Sequence, residues 1–364
     1  MVFRSYTELQ IFFSMKKLLI YGANGYTGQL ICEVARQRGA QSIIAGRNQE
    51  AIAALAGNYG WDYRVFGLED PLALRKNLEG VEVVLHAAGP FRFTAKSMME
   101  ACLDCGVHYI DINGEIDVFA QAYSLSSMAL AKNIMLLAGA GFDVVPTDCL
   151  ANYLKQQMPD ASRLELAFVT PGGQISHGTA MSLSERLGEG GACRRDGTLQ
   201  KEPIGKKGKY ILAGDKKFFV MSIPWGDVFT SWHTTGIGNM RAYTGFSPIA
   251  FLGLRLQFIF NPILRARWFK KLMQARINKR PIGAPADQRN KVKSYVWGEV
   301  TNAGGEKKTS WFATPEAYTL TALTAMDIAE KIMNGDWKPG YQTPAGCYGY
   351  SLIEKYISEG GYGV

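Results

Sequence analysis

Short apolar runs alternate with longer amphipathic ones through the first 150 residues. Residues 18–21, 42–45, 63–66, 81–88, 107–112 and 134–138 have the length and β-branched content of buried strands. Between them, 29–37, 51–57, 71–78, 96–105 and 116–131 carry helix-forming residues with apolar positions at helical spacing. Strand and helix in strict alternation predict an α/β fold, a Rossmann-type doubly wound parallel sheet. The pattern then changes. Residues 164–169, 217–223, 228–234 and 293–301 are strand-like, and 178–187 read as a helix that starts near Ser176 or His177 and ends at the glycine-rich 188–191. Thr314-Pro315-Glu316 opens a long helix to about Met333, with Leu320, Leu323, Ile328 and Ile332 on its apolar face. The second half therefore predicts an α+β domain with a mainly antiparallel sheet. The division is 15–150 for the first domain and 151–364 for the second, with 1–14 as an N-terminal extension whose apolar 9–13 stretch is too short to span a bilayer.

In a doubly wound sheet, ligands bind beyond the carboxyl ends of the strands. The first of these ends reads Gly22-Ala23-Asn24-Gly25-Tyr26-Thr27-Gly28. The spacing is GxxGxxG, and its setting between a strand and a helix gives it meaning. Glycine allows the tight turn, a pyrophosphate approaches where no side chain stands, and the helix N-terminus holds the charge. The second strand ends in Gly46-Arg47 with no Asp or Glu for ribose hydroxyls, and an arginine there suits a 2′-phosphate. The expected cofactor is NADP. Arg47 and Leu68 flank its adenine end, and Ala87, Ala88, Gly89, Pro90 and Phe91 lie under the nicotinamide.

The runs YGANGYTG, AGRN, AAGPF, YIDINGE and GAGFDVVP, in that order, resemble the saccharopine dehydrogenase-like oxidoreductases, in particular the short bacterial and trans-acting enoyl reductase-like branch. The likeness covers residues 17–153 and continues more weakly to TPEAYTLTALTAMDIAEKI. It implies an NADP-binding domain, a second α+β domain over the nicotinamide, and a 315–333 helix packed back on the first domain.

Composition adds three points. The six cysteines are scattered, Cys102 and Cys105 fall within one helix, and no zinc-like second pair accompanies them, so a reducing cytoplasmic setting is expected and no metal. The 40 basic and 32 acidic residues divide unevenly, 12 against 15 in residues 1–150 and 28 against 17 beyond. Much of the excess follows 246–264, an apolar stretch with one charge at Arg255, in the acid-free series Arg265, Arg267, Lys270, Lys271, Arg276, Lys279 and Arg280. A core or dimer-forming helix with a solvated basic end, an amphipathic element docking on anionic lipid across 246–280, and the wall of an apolar substrate pocket all fit this stretch. No nucleic-acid module is recognisable.

Hydride transfer asks the protein only to hold the substrate and to manage one proton. Strand-end carboxylates Asp111, Glu115 and Asp143 are candidates for that proton, and so is His177 from the second domain; for any single carboxylate, helix capping or loop hydrogen bonding is the commoner role. Arg92 is placed to meet a substrate carboxylate. No Tyr-x-x-x-Lys dyad occurs near 138–153, which argues against a short-chain dehydrogenase. The expected function is an NADP(H)-dependent oxidoreductase acting on a small carbonyl, imine or enoyl compound, lipid-like ones included, as a homodimer. The alternative is a non-catalytic NADP(H)-binding adaptor at a membrane or protein partner.

Overall fold

A computed structural model describes residues 17–254 and 257–361. The 1–14 extension and Arg255 lie outside the described residues. From the start of the described chain, β1 (Leu18–Tyr21), α1 (Tyr26–Gln37), β2 (Ser42–Gly46), α2 (Gln49–Tyr59), β3 (Tyr63–Val65), α3 (Pro71–Lys76), β4 (Val83–His86), α4 (Phe91–Cys105), β5 (His108–Asp111), α5 (Ile116–Ser124), α6 (Ser126–Ala131) and β6 (Met135–Leu137) follow in turn. Their strands pair in parallel in the order β3-β2-β1-β4-β5-β6. The order reverses between β1 and β4, the position at which doubly wound sheets bind their ligands beyond the carboxyl ends. β1, β2, β4, β5 and β6 are buried along their whole length, as strands covered on both faces must be.

The next helix, α7 (Val145–Gln157), leads into β7 (Ala161–Val169), α8 (His177–Glu185), β8 (Gly191–Arg195), β9 (Thr198–Glu202), β10 (Gly208–Ala213), β11 (Lys216–Ile223), α9 (Asp227–Thr235) and β12 (Asn239–Gly245). Helices α10 (Pro248–Leu254), α11 (Gln257–Arg265), α12 (Arg267–Ile277) and α13 (Ala286–Arg289) come before β13 (Lys293–Asn302) and β14 (Lys307–Pro315). Then come α14 (Ala317–Met333), β15 (Gly340–Tyr341), α15 (Pro344–Tyr348), α16 (Ser351–Glu354) and β16 (Glu359–Gly361). The second sheet runs β10-β11-β12-β7-β13-β14-β16, antiparallel except for β12 with β7. β15 returns to the first sheet and extends it beside β6.

Two helices join the halves. Residue 150 sits in the middle of α7, whose Leu150 and Leu154 are buried against β13; a Cβ on Gly298 of that strand would lie 2.8 Å from Leu154 Cδ1. Each such leucine contributes roughly 2 kcal/mol by burial. Helix α14 is capped by Glu316, whose carboxylate accepts from the Tyr318 and Thr319 amides. It packs along α1, where Arg38 reaches Asp327 at 3.0 Å and Glu330 at 2.9 Å.

Three local expectations are corrected. Residues 228–234 form helix α9 and no strand. Their β-branched and aromatic side chains favour extended backbone, but Gly236 supplies a left-handed C-cap, and packing on α7 buries Val228, Phe229 and Ser231. The single helix over 116–131 is two, α5 and α6, with the break at Leu125. Helix α4 begins at Phe91, five residues before the expected start, because Pro90 is tolerated ahead of a first turn.

Candidate functional site

The turn after β1 is built by its glycines. Gly22 has φ +84°, and a Cβ there would lie 2.7 Å from Ala88 Cβ and 2.8 Å from Ala88 N, so this position accepts no side chain. Its amide donates to Ala45 O at 2.8 Å, which ties the turn to β2. Gly28 is equally constrained, since a Cβ would stand 2.3 Å from Gly22 O. Gly25 differs. Its φ of −73° suits any residue, it is exposed, and a Cβ would meet only Gly22 O at 3.2 Å. It is the N-cap of α1, and among the described residues no side chain caps that helix. The first-turn amides of Tyr26, Thr27 and Gly28 therefore face an open cradle that a side chain at 25 would fill. That is the condition a pyrophosphate needs.

At the end of β2, Asn48 caps α2 by accepting from Ala51 N at 3.0 Å, which leaves Arg47 exposed at the strand end. Burial raises the Tyr21 hydroxyl to about 12, and the Arg47 guanidinium opposes that rise, so the charge lies close to the end of β1. Among the described residues Arg47 has no ion pair. Leu68 is buried in the core below. Beyond β4, the Ala87 amide donates to Tyr21 O at 2.8 Å, and Ala88 O accepts from Thr94 Oγ1 at 2.8 Å. His86 beneath is wholly buried and pushed down to about 4, hence neutral, with Nε2 at 3.2 Å from Ala88 O. Gly89 is exposed, and a Cβ on it would lie 3.5 Å from Ser182 Oγ of α8. Helix α8 of the second domain thus stands over the stretch 87–91.

The expected proton-handling residues separate into distinct settings. Asp111 is fully buried and committed to its own loop: it accepts from the Asn113 amide at 3.1 Å, Asn113 Nδ2 at 2.6 Å, Gly139 N at 2.9 Å and the Tyr109 hydroxyl at 2.8 Å. Glu115 pairs with Arg186 of the α8 C-terminus at 3.3 Å, and burial raises its carboxyl despite that cation. Asp143 is half-buried against Gly114, where a Cβ would come 3.1 Å from its Oδ2. Among the described residues its carboxyl has no hydrogen-bond partner. Burial, with the Glu115 charge adding to it, lifts Asp143 to about 7. His177 lies elsewhere, its Nε2 2.8 Å from Asn278 Oδ1 and its amide donating to Ile282 O. Arg92 is engaged by Glu189 at 3.0 Å.

Two side chains without any motif complete the cleft. Arg186 also meets Asp117 at 3.1 Å, yet its Nε is buried without a partner among the described residues, an unspent donor beside Glu115. Tyr318, in the first turn of α14, accepts from the Ser176 amide at 2.7 Å, bonds Thr179 Oγ1 at 2.9 Å, and meets Tyr26 edge-on at 5.2 Å. Burial raises its hydroxyl, and the Asp143 charge adds to the rise, so both face one region. Only the TPEAYTL segment, as part of the weaker C-terminal resemblance, pointed towards Tyr318; nothing local marked Arg186.

Residues 18–137 match the family of the saccharopine dehydrogenase NADP binding domain. Among curated proteins, the chain is 27% identical over 206 residues to the saccharopine dehydrogenase-like oxidoreductase of Rattus norvegicus, covering 49% of this chain and 48% of that one. It is 24% identical over 207 residues to a trans-acting enoyl reductase of Mycobacterium ulcerans (strain Agy99), 55% and 48%. It is 26% identical over 211 residues to the lipid droplet localized protein of Caenorhabditis elegans, 52% and 49%. The chain thus spans about half the length of these relatives. In fold it is similar to apo saccharopine dehydrogenase (L-Glu forming) from Saccharomyces cerevisiae, with TM-score 0.65 and 12% identity over 94% of this chain and 99% of that one.

Proposed function

We propose that the whole chain, whose residues 18–137 match the saccharopine dehydrogenase NADP binding domain, is an NADP(H)-dependent oxidoreductase acting on a carbonyl, imine or enoyl substrate, lipid-like ones included. The observation that carries this reading is the uncapped α1 N-terminus at Gly25, open where Gly22 and Gly28 are closed, with Arg47 exposed at the neighbouring strand end. Gly22 to Gly28 would hold the pyrophosphate, Arg47 the 2′-phosphate, and Ala87 to Phe91 the nicotinamide face. Bound there, NADP(H) supplies a hydride donor or acceptor at the nicotinamide ring.

The chain's own residues do the rest. Asp143, at about 7, exists in both protonation states near neutrality and gives a proton to, or takes one from, the reacting heteroatom or carbon. Glu115 raises Asp143 by its charge, and Arg186 anchors Glu115 at 3.3 Å. Tyr318, held by Ser176 and Thr179, fixes the start of α8. Within this reading the protein is a cytoplasmic homodimer that meets membranes peripherally through 246–280.

The test is NADPH oxidation and NADP reduction across a panel of carbonyl, imine, enoyl and amino-acid substrates, in wild type and Asp143→Asn. Turnover that falls at least about 100-fold in the variant with NADPH affinity unchanged supports the assignment. NADPH binding without turnover of any substrate favours the adaptor.

A further inference from the structure

Helix α11 is turned inside out. Two of its polar side chains reach inward: Gln257 Nε2 donates to Ile204 O at 2.8 Å, and Arg265 Nε donates to Gly188 O at 2.7 Å. Its apolar residues face solvent, with Phe258 70% exposed and Ile259, Phe260 and Ile263 about half exposed. The helices on either side also expose Ile249 (82%), Leu252, Trp268 (63%) and Leu272. A surface helix normally turns these residues inward.

The charges around the patch are equally one-sided. Arg265 and Lys270 are used internally, binding Gly188 O and Glu185 O. Arg267, Lys271, Arg276, Lys279 and Arg280 are exposed, and none has an ion-pair partner among the described residues. No acid occurs from 265 to 280. Among the described residues no helix is long and apolar enough to cross a membrane.

We infer that α10 to α12 form a docking surface for an anionic lipid membrane, with Phe258, Ile263, Trp268 and Leu272 entering the headgroup boundary and the five free cations meeting lipid phosphates and carboxylates. Apolar residues beside unopposed cations fit a lipid surface; a second copy of this chain would bring five more cations to the same face. α12 packs on α8, which stands over Gly89, so docking would set the cleft's α8 side close to the membrane. This inference refines the membrane contact of the proposed function, and stands or falls separately from hydride transfer.

The experiment is co-sedimentation of the full chain with phosphatidylcholine vesicles, with and without about 30 mol % phosphatidylserine. Two double variants, Phe258→Ser with Trp268→Ser and Lys271→Glu with Arg276→Glu, accompany it, with NADPH titration and light scattering on each preparation. Wild type should bind the anionic vesicles at least about tenfold more than the neutral ones, and the charge variant should lose at least about thirtyfold. The apolar variant should lose binding comparably, while NADPH affinity stays unchanged in both. Wild type that fails to sediment at low salt overturns the inference. So does an apolar variant that sediments normally while a dimer falls to monomer, which would assign the face to self-association.

Discussion

Replacing Gly25 with valine separates ligand approach from folding. At φ −73° the backbone is ordinary for any residue, and the added Cβ meets only Gly22 O at 3.2 Å. Losing glycine restricts the unfolded chain and contributes about 0.4–1 kcal/mol of stability, against a contact cost of similar size. Net stability should therefore move by no more than about 1 kcal/mol. The two γ-methyl groups, however, project into the cradle above the α1 amides, where a pyrophosphate must come within hydrogen-bond distance. NADPH affinity should drop at least about 100-fold, some 2.7 kcal/mol. Denaturant unfolding and NADPH fluorescence titration on one preparation read both quantities. Gly28→Ala is the control: its Cβ would fall 2.3 Å from Gly22 O, so stability and affinity should fall together. Near-wild-type NADPH affinity in Gly25→Val would refute the reasoning, and so would a loss of stability as large as the loss of binding.

Arg47→Glu should weaken NADPH at least about tenfold and leave NADH nearly unchanged in parallel titrations, since the lost contact is with the 2′-phosphate alone; equal losses would remove that role. Asp143→Asn should alter stability with pH. The folded carboxyl sits at about 7, above its unfolded value near 3.8, so wild type loses up to about 4 kcal/mol as pH rises between these values. The variant has no such loss and should gain on wild type from about pH 4 to 7 in urea melts, then hold level; parallel curves would mean Asp143 titrates normally. Arg38→Ala should cost about 2–3 kcal/mol by thermal unfolding, because Asp327 and Glu330 lose the cation that ties α14 to α1; an unchanged melting temperature would mean Lys355 and Tyr356 suffice for Asp327.

The nucleotide half was legible because its signals are local. Each buried strand carries a short apolar run, and most are followed within a few residues by a glycine. The second half spreads its information over long range. β9 (TLQKE) is largely polar and exposed, so its strand character comes from pairing with β8 and not from periodicity. α9 has strand-like composition and becomes helical through packing on α7. The same limit applied to the cleft. Asp111, Glu115 and Asp143 look alike as strand-end acids, and only the fold shows the Asp111 carboxylate consumed by four donors while that of Asp143 accepts from none among the described residues. Arg186 meets Glu115 from 71 residues away, and Tyr318 meets Ser176 from 142. The amphipathic 246–280 stretch was readable as such, but not that α11 would turn its polar side inward.

Titration of the purified protein with NADPH and NADH, followed by nicotinamide fluorescence and thermal shift, tests the central claim most directly. The account predicts saturable NADPH binding at least about tenfold tighter than NADH, with a rise in melting temperature to match. No binding of either nucleotide would contradict it, leaving Gly22 to Gly28 as a turn and nothing more.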